Sequence, residues 1–256
     1  MRWPACALVA LIAFLDGKTA RAQLQDDVPP PLRCLVRYYA GRATRVDGRW
    51  ALALPDGKTI PYDDGRAKTF DEKLEHPDVE DAFAIPYRKG AIRPVTVEND
   101  DPGRVRLDAV FAATYGASER AVDVVRVTLL GQPLRVHRKV APVFARLDAR
   151  LRGLVARDPS LAPFLQKLGG TFNWRNIAGT DRPSAHSYGV SVDINVERSD
   201  YWRWQKPPLH WVNKIPQPIV DAFEAEGFIW GGRWYHFDTM HFEYRPELLD
   251  ESCRPR

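Results

Sequence analysis

The sequence contains few of the residues that bind transition metals: three cysteines and six histidines among 256 residues. None of the cysteines belongs to a C-x-x-C pair, which excludes a thiolate zinc knuckle and a thioredoxin-like redox motif. Blocks of lysine or arginine are also absent, because the basic residues are scattered among acidic ones. We therefore expect no nucleic-acid partner.

Long apolar runs are lacking as well. The apolar stretch at residues 6–15 is shorter than the roughly 20 residues that cross a bilayer. It follows a basic start and precedes Ala20-Arg21-Ala22, a small-x-small cleavage signature. This pattern predicts a secretory signal peptide over residues 1–22 and an exported chain, periplasmic or secreted, with no membrane anchor after cleavage. A retained anchor is the alternative.

Removal of residues 1–22 takes away three basic and one acidic side chain, so the net charge falls from +4 to +2. Two cysteines then remain, Cys34 and Cys253. In an oxidising compartment they can form one disulfide between the N-terminal segment and the C-terminal tail, and we predict that pairing. Two unpaired thiols are the alternative that the sequence leaves open.

The pattern of apolar residues predicts an α+β fold: a small antiparallel sheet with flanking helices, preceded by an N-terminal mixed α/β region. Residues 35–54 alternate around Asp47-Gly48, which predicts a hairpin. Helical spacing over 136–155 and 216–226 predicts two helices, and strict alternation over 190–196 predicts a strand. We place a boundary after residue 130, which separates residues 23–130, of unassigned role, from a second domain over residues 131–256.

Two histidines and an aspartate near the C-terminus have the spacing of an open metal site. His186 precedes Asp193 by seven residues across Tyr188-Gly189, so the chain can turn between them. His241 comes from a distant segment that also has the pattern of a strand. Catalytic zinc takes three such ligands and keeps one position for water, whose pKa it lowers toward ~7. The sequence therefore predicts one Zn²⁺ on His186, Asp193 and His241.

Hydrolysis also needs a base and a donor for the developing negative charge. Asp238, three residues before His241, is predicted to be the base. Arg175, on the segment before the first histidine, is predicted to stabilise the oxyanion, with Arg182 as the second candidate. Asp238 as a mere orienting partner of a ligand is the alternative.

These residues also carry a resemblance to a known family. The motif Ser184-x-His186-x-x-Gly189-x-Ser191-x-Asp193, followed by Asp238-x-x-His241-Phe242-x-Tyr244, resembles the D-alanyl-D-alanine carboxypeptidase family of zinc peptidases. It is most similar to the branch that includes peptidoglycan L-alanyl-D-glutamate endopeptidases. The resemblance covers about residues 131–256, which we therefore predict to be the zinc peptidase catalytic domain. It implies that the two histidines and the aspartate bind zinc, that Asp238 is the general base, and that an upstream arginine, best matched by Arg175, stabilises the oxyanion.

Together, the motif and the export signal predict a zinc metallopeptidase that hydrolyses the peptide stem of peptidoglycan, as an endopeptidase or a D,D-carboxypeptidase. Ser184, Trp230 and Arg182 are predicted to contact the peptidoglycan peptide, although aromatic residues such as Trp230 are more often part of a core. A non-catalytic wall-binding protein that retains a relic zinc site is one alternative. A zinc hydrolase with a substrate other than a peptide is another.

Overall fold

The computed structural model describes residues 27–255. The predicted signal peptide therefore lies outside the described residues. Among the residues described, no helix combines the length and the hydropathy needed to cross a bilayer.

Short helices and strands alternate along the chain. The α-helices of the described residues are α1 (Pro30–Tyr38), α2 (Phe70–Glu75), α3 (Val79–Phe83), α4 (Asp108–Tyr115), α5 (Ala141–Arg157), α6 (Ala162–Leu165), α7 (Gln217–Glu224) and α8 (Pro246–Leu249). The strands are β1 (Arg42–Val46), β2 (Arg49–Ala53), β3 (Thr59–Pro61), β4 (Val124–Leu129), β5 (Gln132–His137), β6 (Ser191–Asp193), β7 (Phe228–Trp230) and β8 (His241–Tyr244). They form three small antiparallel sheets, in the orders β1-β2-β3, β4-β5 and β6-β8-β7. The predicted α+β class is confirmed.

The first hairpin turns where the sequence predicts. Strands β1 and β2 are joined by Asp47 and Gly48, both with positive φ, as a two-residue hairpin turn requires. Strand β3 extends this hairpin on the β2 side.

The second hairpin lies where the sequence was divided. Leu130 and Gly131 form the turn between β4 and β5, again with positive φ. The helix predicted to start at residue 136 begins at Ala141 instead, because residues 132–137 pair with β4. Buried residues from both sides of this turn belong to one hydrophobic cluster. The domain boundary after residue 130 stays a prediction.

The core behind the third sheet is aromatic. Phe144 on α5 makes an edge-to-face contact with Phe228 on β7, with ring centroids 5.4 Å apart. Phe223 on α7 stacks on Phe242 of β8 at 3.9 Å. All four rings are completely buried. Each such side chain contributes about 1.5–3 kcal/mol through its removal from water, so the two helices hold this sheet firmly.

The N-terminal helix is fastened to the C-terminal tail. Cys34 of α1 forms a disulfide with Cys253 across 219 residues of sequence. Beside it, the Tyr39 hydroxyl donates to Glu247 Oε2 (2.6 Å), and the Tyr38 hydroxyl donates to Asp250 Oδ2 (2.9 Å). Helix α1 is thus held covalently and by hydrogen bonds against the segment that follows β8.

Strand β6 is shorter than its alternating sequence suggests. It ends at Asp193, and Asn195 does not continue it. The Asn195 side chain accepts a hydrogen bond from the Glu197 amide and donates one to the Pro163 carbonyl, which starts a 3₁₀ turn. Asn195 therefore lies beyond the end of the strand and caps the turn that follows it.

Candidate metal centre

Two of the three predicted ligands face each other across neighbouring strands. Strands β6 and β8 are antiparallel, and their register places Asp193 directly opposite His241. Because paired residues of such strands share a face, the two side chains project to the same side. The His241 Nδ1 lies 3.0 Å from Asp193 Oδ1.

The third predicted ligand is delivered by a tight turn before β6. His186 lies in the 3₁₀ turn Ala185–Tyr188, and the Ser184 hydroxyl accepts a hydrogen bond from the His186 amide (3.3 Å). Gly189 ends the turn with φ +65°, and a Cβ there would lie 2.7 Å from the backbone nitrogen of His137. Only glycine fits this position well. The turn brings His186 Nε2 to 3.2 Å from Asp193 Oδ1.

The second nitrogen of each imidazole is engaged elsewhere. His186 Nδ1 donates to the backbone carbonyl of Thr171 (2.6 Å), and His241 Nε2 donates to Glu243 Oε2 (3.2 Å). These bonds leave His186 Nε2 and His241 Nδ1 as the nitrogens that face the carboxylate of Asp193. Such outer hydrogen bonds fix the tautomer and orientation of metal-binding imidazoles.

The donor set fits a zinc ion. One ligand atom each from His186, Asp193 and His241 lies within 4.8 Å of the others, and all three side chains are largely buried. When both imidazoles are neutral, as metal binding requires, and their other nitrogens donate, the two rings and the carboxylate present only lone pairs to one another. A cation among them removes this mismatch. Two nitrogens and one oxygen are the ligand types of a catalytic zinc site.

A buried chain of charges extends from His241 to the N-terminal helix. Arg245 Nη1 donates to Glu243 Oε1 (2.8 Å) and Arg245 Nε donates to Glu247 Oε1 (2.6 Å). Glu247 in turn accepts from Tyr39, the residue that follows α1. Burial alone would raise the pKa of Glu243, but the hydrogen bond from His241 and the charge of Arg245 hold it well below its usual range. The carboxylate that orients His241 is therefore ionised.

Asp238 lies beside the ligands, and one oxygen of its carboxylate has no partner among the described residues. Its Oδ1 is buried and has no hydrogen-bond partner within residues 27–255. Burial raises the pKa of Asp238 to about 6; the nearby carboxylate of Asp193 adds to this rise, and the His241 imidazole opposes it. A buried carboxylate without a partner is costly, and it is typical of a group that exchanges a proton with a ligand.

The site opens into a cavity of about 370 Å³. Its walls include the three candidate ligands and Asp238, together with aromatic and cationic side chains. Those side chains are Trp202, Trp204, Trp234, Tyr201, His236, Arg104, Arg106, Arg175 and Arg182. The volume lies within the range of small-molecule and peptide sites.

The two arginines proposed for the oxyanion differ in their partners. Arg182 Nε donates to Asp108 Oδ2 (3.0 Å) and its Nη2 donates to the Arg104 carbonyl (3.3 Å). The Arg175 side chain is exposed and makes one long hydrogen bond, to the Asn176 carbonyl (3.5 Å), with no ion pair to another described residue. Its backbone is fixed to the turn that carries His186, because Ser187 Oγ both donates to the Arg175 carbonyl and accepts from its amide. Arg175 is thus the freer cation.

The three predicted substrate contacts have different positions. Ser184 and Arg182 line the cavity, although both are engaged in bonds within the protein. Trp230 does not line it, and the prediction of a substrate contact there is wrong. Its indole is completely buried, stacks near Phe242 and donates its N–H to the Thr239 carbonyl (2.9 Å). Trp230 is part of the core.

Several further residues of the site are not indicated by any sequence motif. Glu243 follows His241 by two positions on a strand, so alternation alone could have indicated it. Thr171 acts through its backbone carbonyl, which no side-chain pattern reveals. Asp101, which contacts His236 from 135 residues away, carries no signal in the sequence at all.

Comparison with known proteins agrees with this geometry. Residues 178–244 match the sequence model of a family described as D-alanyl-D-alanine carboxypeptidase. No solved structure matches the chain. The matched segment contains His186, Asp193, Asp238 and His241, and it ends before Arg245; Arg175 lies just outside it. The resemblance predicted from the motif is confirmed over residues 178–244, where the chain is similar to peptidases of the D-alanyl-D-alanine carboxypeptidase type.

Proposed function

We propose that the chain is an exported zinc-dependent peptidase that hydrolyses peptide bonds in the stem of peptidoglycan, as an endopeptidase or a D,D-carboxypeptidase. The observation that carries this proposal is the convergence of three ligand atoms within 4.8 Å, beside Asp238, whose Oδ1 has no hydrogen-bond partner among the described residues. The family match supports the reaction class. The leader at residues 1–22 supports the location.

His186, Asp193 and His241 would hold the zinc ion through Nε2, Oδ1 and Nδ1. When bound, zinc supplies Lewis-acid activation of water and of the scissile carbonyl. The protein's own contribution is a rigid donor set, fixed by the Thr171 carbonyl on one side and Glu243 on the other. Substrate enters through the cavity, which residues of the 131–256 range line together with Leu74, Glu75 and the segment around Arg104.

Asp238 accepts the proton of the attacking water and transfers it to the leaving amine. A general base works best when its pKa is close to the working pH, and burial moves the pKa of Asp238 in that direction. Its Oδ1 has no competing donor among the described residues, so it is available to water and substrate.

Arg175 donates to the oxygen that becomes negative as the carbonyl is attacked. Its guanidinium lines the cavity and has no carboxylate partner among residues 27–255, so it can take up the new charge without breaking an ion pair. Arg182 is engaged with Asp108 and is better suited to shaping the wall.

The test is digestion of purified peptidoglycan by the zinc-loaded chain from residue 23, followed by mass spectrometry of the soluble products. We expect release of free D-alanine for a carboxypeptidase, or of longer peptides for an endopeptidase. The matched control is Asp238→Asn, which should keep its zinc and lose about 10²–10⁴-fold in kcat.

Two outcomes would oppose the proposal. Tight binding to peptidoglycan with no cleavage by zinc-loaded protein would favour a non-catalytic wall-binding protein with a relic site. Full activity of Asp238→Asn would assign the base to another residue.

A further inference from the structure

Part of the cavity wall comes from residues that precede the matched segment. Gly103, Arg104 and Arg106 line the cavity together with the candidate ligands. These residues lie in the part of the chain for which the sequence indicates no role.

Asp101 anchors this wall. Its carboxylate is completely buried and accepts two hydrogen bonds from His236, one from the backbone amide (3.0 Å) and one from ring Nδ1 (2.6 Å). It also lies 3.6 Å from Arg104 Nη1. The Asp101 side chain thus joins the loop before the family motif to the loop that carries Asp238.

Arg104 and the candidate zinc ligand His241 are both neighbours of the indole of Trp234. Its guanidinium lies 6.0 Å from the ring centroid of Trp234, and that ring lies 5.9 Å from the ring of His241. Trp234 is held in turn by its N–H, which donates to the Pro102 carbonyl (2.8 Å). One aromatic side chain therefore separates Arg104 from a candidate zinc ligand.

Arg104 is also short of negative charge. Arg106 and Arg182, its neighbours in the wall, both donate to Asp108, at 2.5 and 3.0 Å. Among the described residues, the one ion pair of Arg104 is with the more distant Asp101 (3.6 Å), whose oxygens already accept from His236. The proposed base Asp238 also feels the charge of Arg104. Burial lowers the pKa of Arg104 although the Asp101 carboxylate acts to raise it. Arg104 is therefore able to pair with one more anionic group.

We propose that Arg104 binds a carboxylate group of the substrate, in a subsite beside the metal centre that Asp101 and Trp234 hold in place. A guanidinium suits this ligand because it can donate two parallel hydrogen bonds to a carboxylate. The inference rests on the proposed function for the nature of the substrate, a peptide. Such a carboxylate is either the C-terminal one or one on a side chain, and both have the same chemistry.

Calorimetry with three synthetic stem peptides distinguishes these sources. One peptide carries both carboxylates, the second has a C-terminal amide, and the third has its side-chain carboxylate replaced by an amide. Binding is measured to the zinc-loaded Asp238→Asn protein, which prevents turnover. We expect one of the amides to bind about 10–100-fold more weakly than the parent, since hydrogen bonds to charged groups have this strength.

Arg104→Gln in the same protein should weaken binding of the parent peptide by a similar factor and bring the ratio between parent and that amide close to one. Arg88→Gln is the matched control: Arg88 is exposed, pairs with Asp100 and does not line the cavity. It should leave the ratio unchanged. Equal binding of all three peptides, or an unchanged ratio in a folded, zinc-loaded Arg104→Gln protein, would overturn the inference.

A failure of the proposed function can be distinguished from a failure of the inference about Arg104. If the wild-type protein does not cleave the parent peptide, the peptidase proposal fails, while the binding ratio still decides whether Arg104 recognises a carboxylate.

Discussion

Residues 178–244 and residues 27–130 contribute to the same cavity in different ways. The first segment holds every proposed ligand and the proposed base, within one turn, two paired strands and a loop. The second holds none of them, yet it supplies Arg104 on the cavity wall and Tyr39 at the end of the buried chain from His241. The proposed ligands and base are therefore close together in the sequence, whereas residues that line the cavity or end the buried chain of charges come from a distant segment.

The largest expected effect is a loss of stability when the covalent link between helix α1 and the C-terminal tail is removed. Replacing Cys34 and Cys253 by serine removes the disulfide that closes 219 residues of chain. Because such a crosslink restricts the unfolded chain, we expect the free energy of unfolding to fall by about 2–5 kcal/mol. Urea denaturation of the double variant and of the wild type measures it.

The control for this prediction is a reducing agent, which should destabilise the wild type and leave the double variant unchanged. An equal free energy of unfolding for the two proteins would show that hydrogen bonds and packing alone hold helix α1 to the tail.

A smaller effect is expected where the chain of charges reaches the metal centre. Glu243→Gln keeps the shape of the side chain but removes the negative charge that faces His241 Nε2. Loss of such an outer partner typically weakens metal binding about 10–100-fold, and we expect that decrease in zinc affinity, measured by competition with a chelator.

Glu226→Gln is the matched control for Glu243→Gln. Glu226 is also buried and paired with arginines, Arg146 and Arg150, but it does not line the cavity. Its replacement should leave zinc affinity unchanged. An equal loss in the two variants would mean that the effect comes from general destabilisation rather than from the contact with His241.

The sequence predicts the metal centre better than it predicts the surroundings. The motif around His186 and Asp193, with the strand at His241, indicates residues that the fold does bring together, because hydrophobic alternation and a glycine turn are local signals. Strand β5 is missed because the helical spacing includes residue 136, whereas residues 132–137, Pro133 among them, pair with β4 in a two-stranded hairpin.

Long-range contacts account for the rest. Asp101 contacts His236, and Tyr39 contacts Glu247, across more than a hundred residues in each case. No periodicity records such a pairing. Trp230 illustrates the opposite limit: its residue type suits a substrate groove and a core equally well, and only the observed burial decides.

The most direct test of the central claim is the zinc content of the purified chain, measured together with peptide cleavage before and after chelation. We predict one zinc ion per chain, loss of the metal and of cleavage together on chelation, and recovery of both when zinc is restored. Zinc-free protein that cleaves at the full rate would contradict the account.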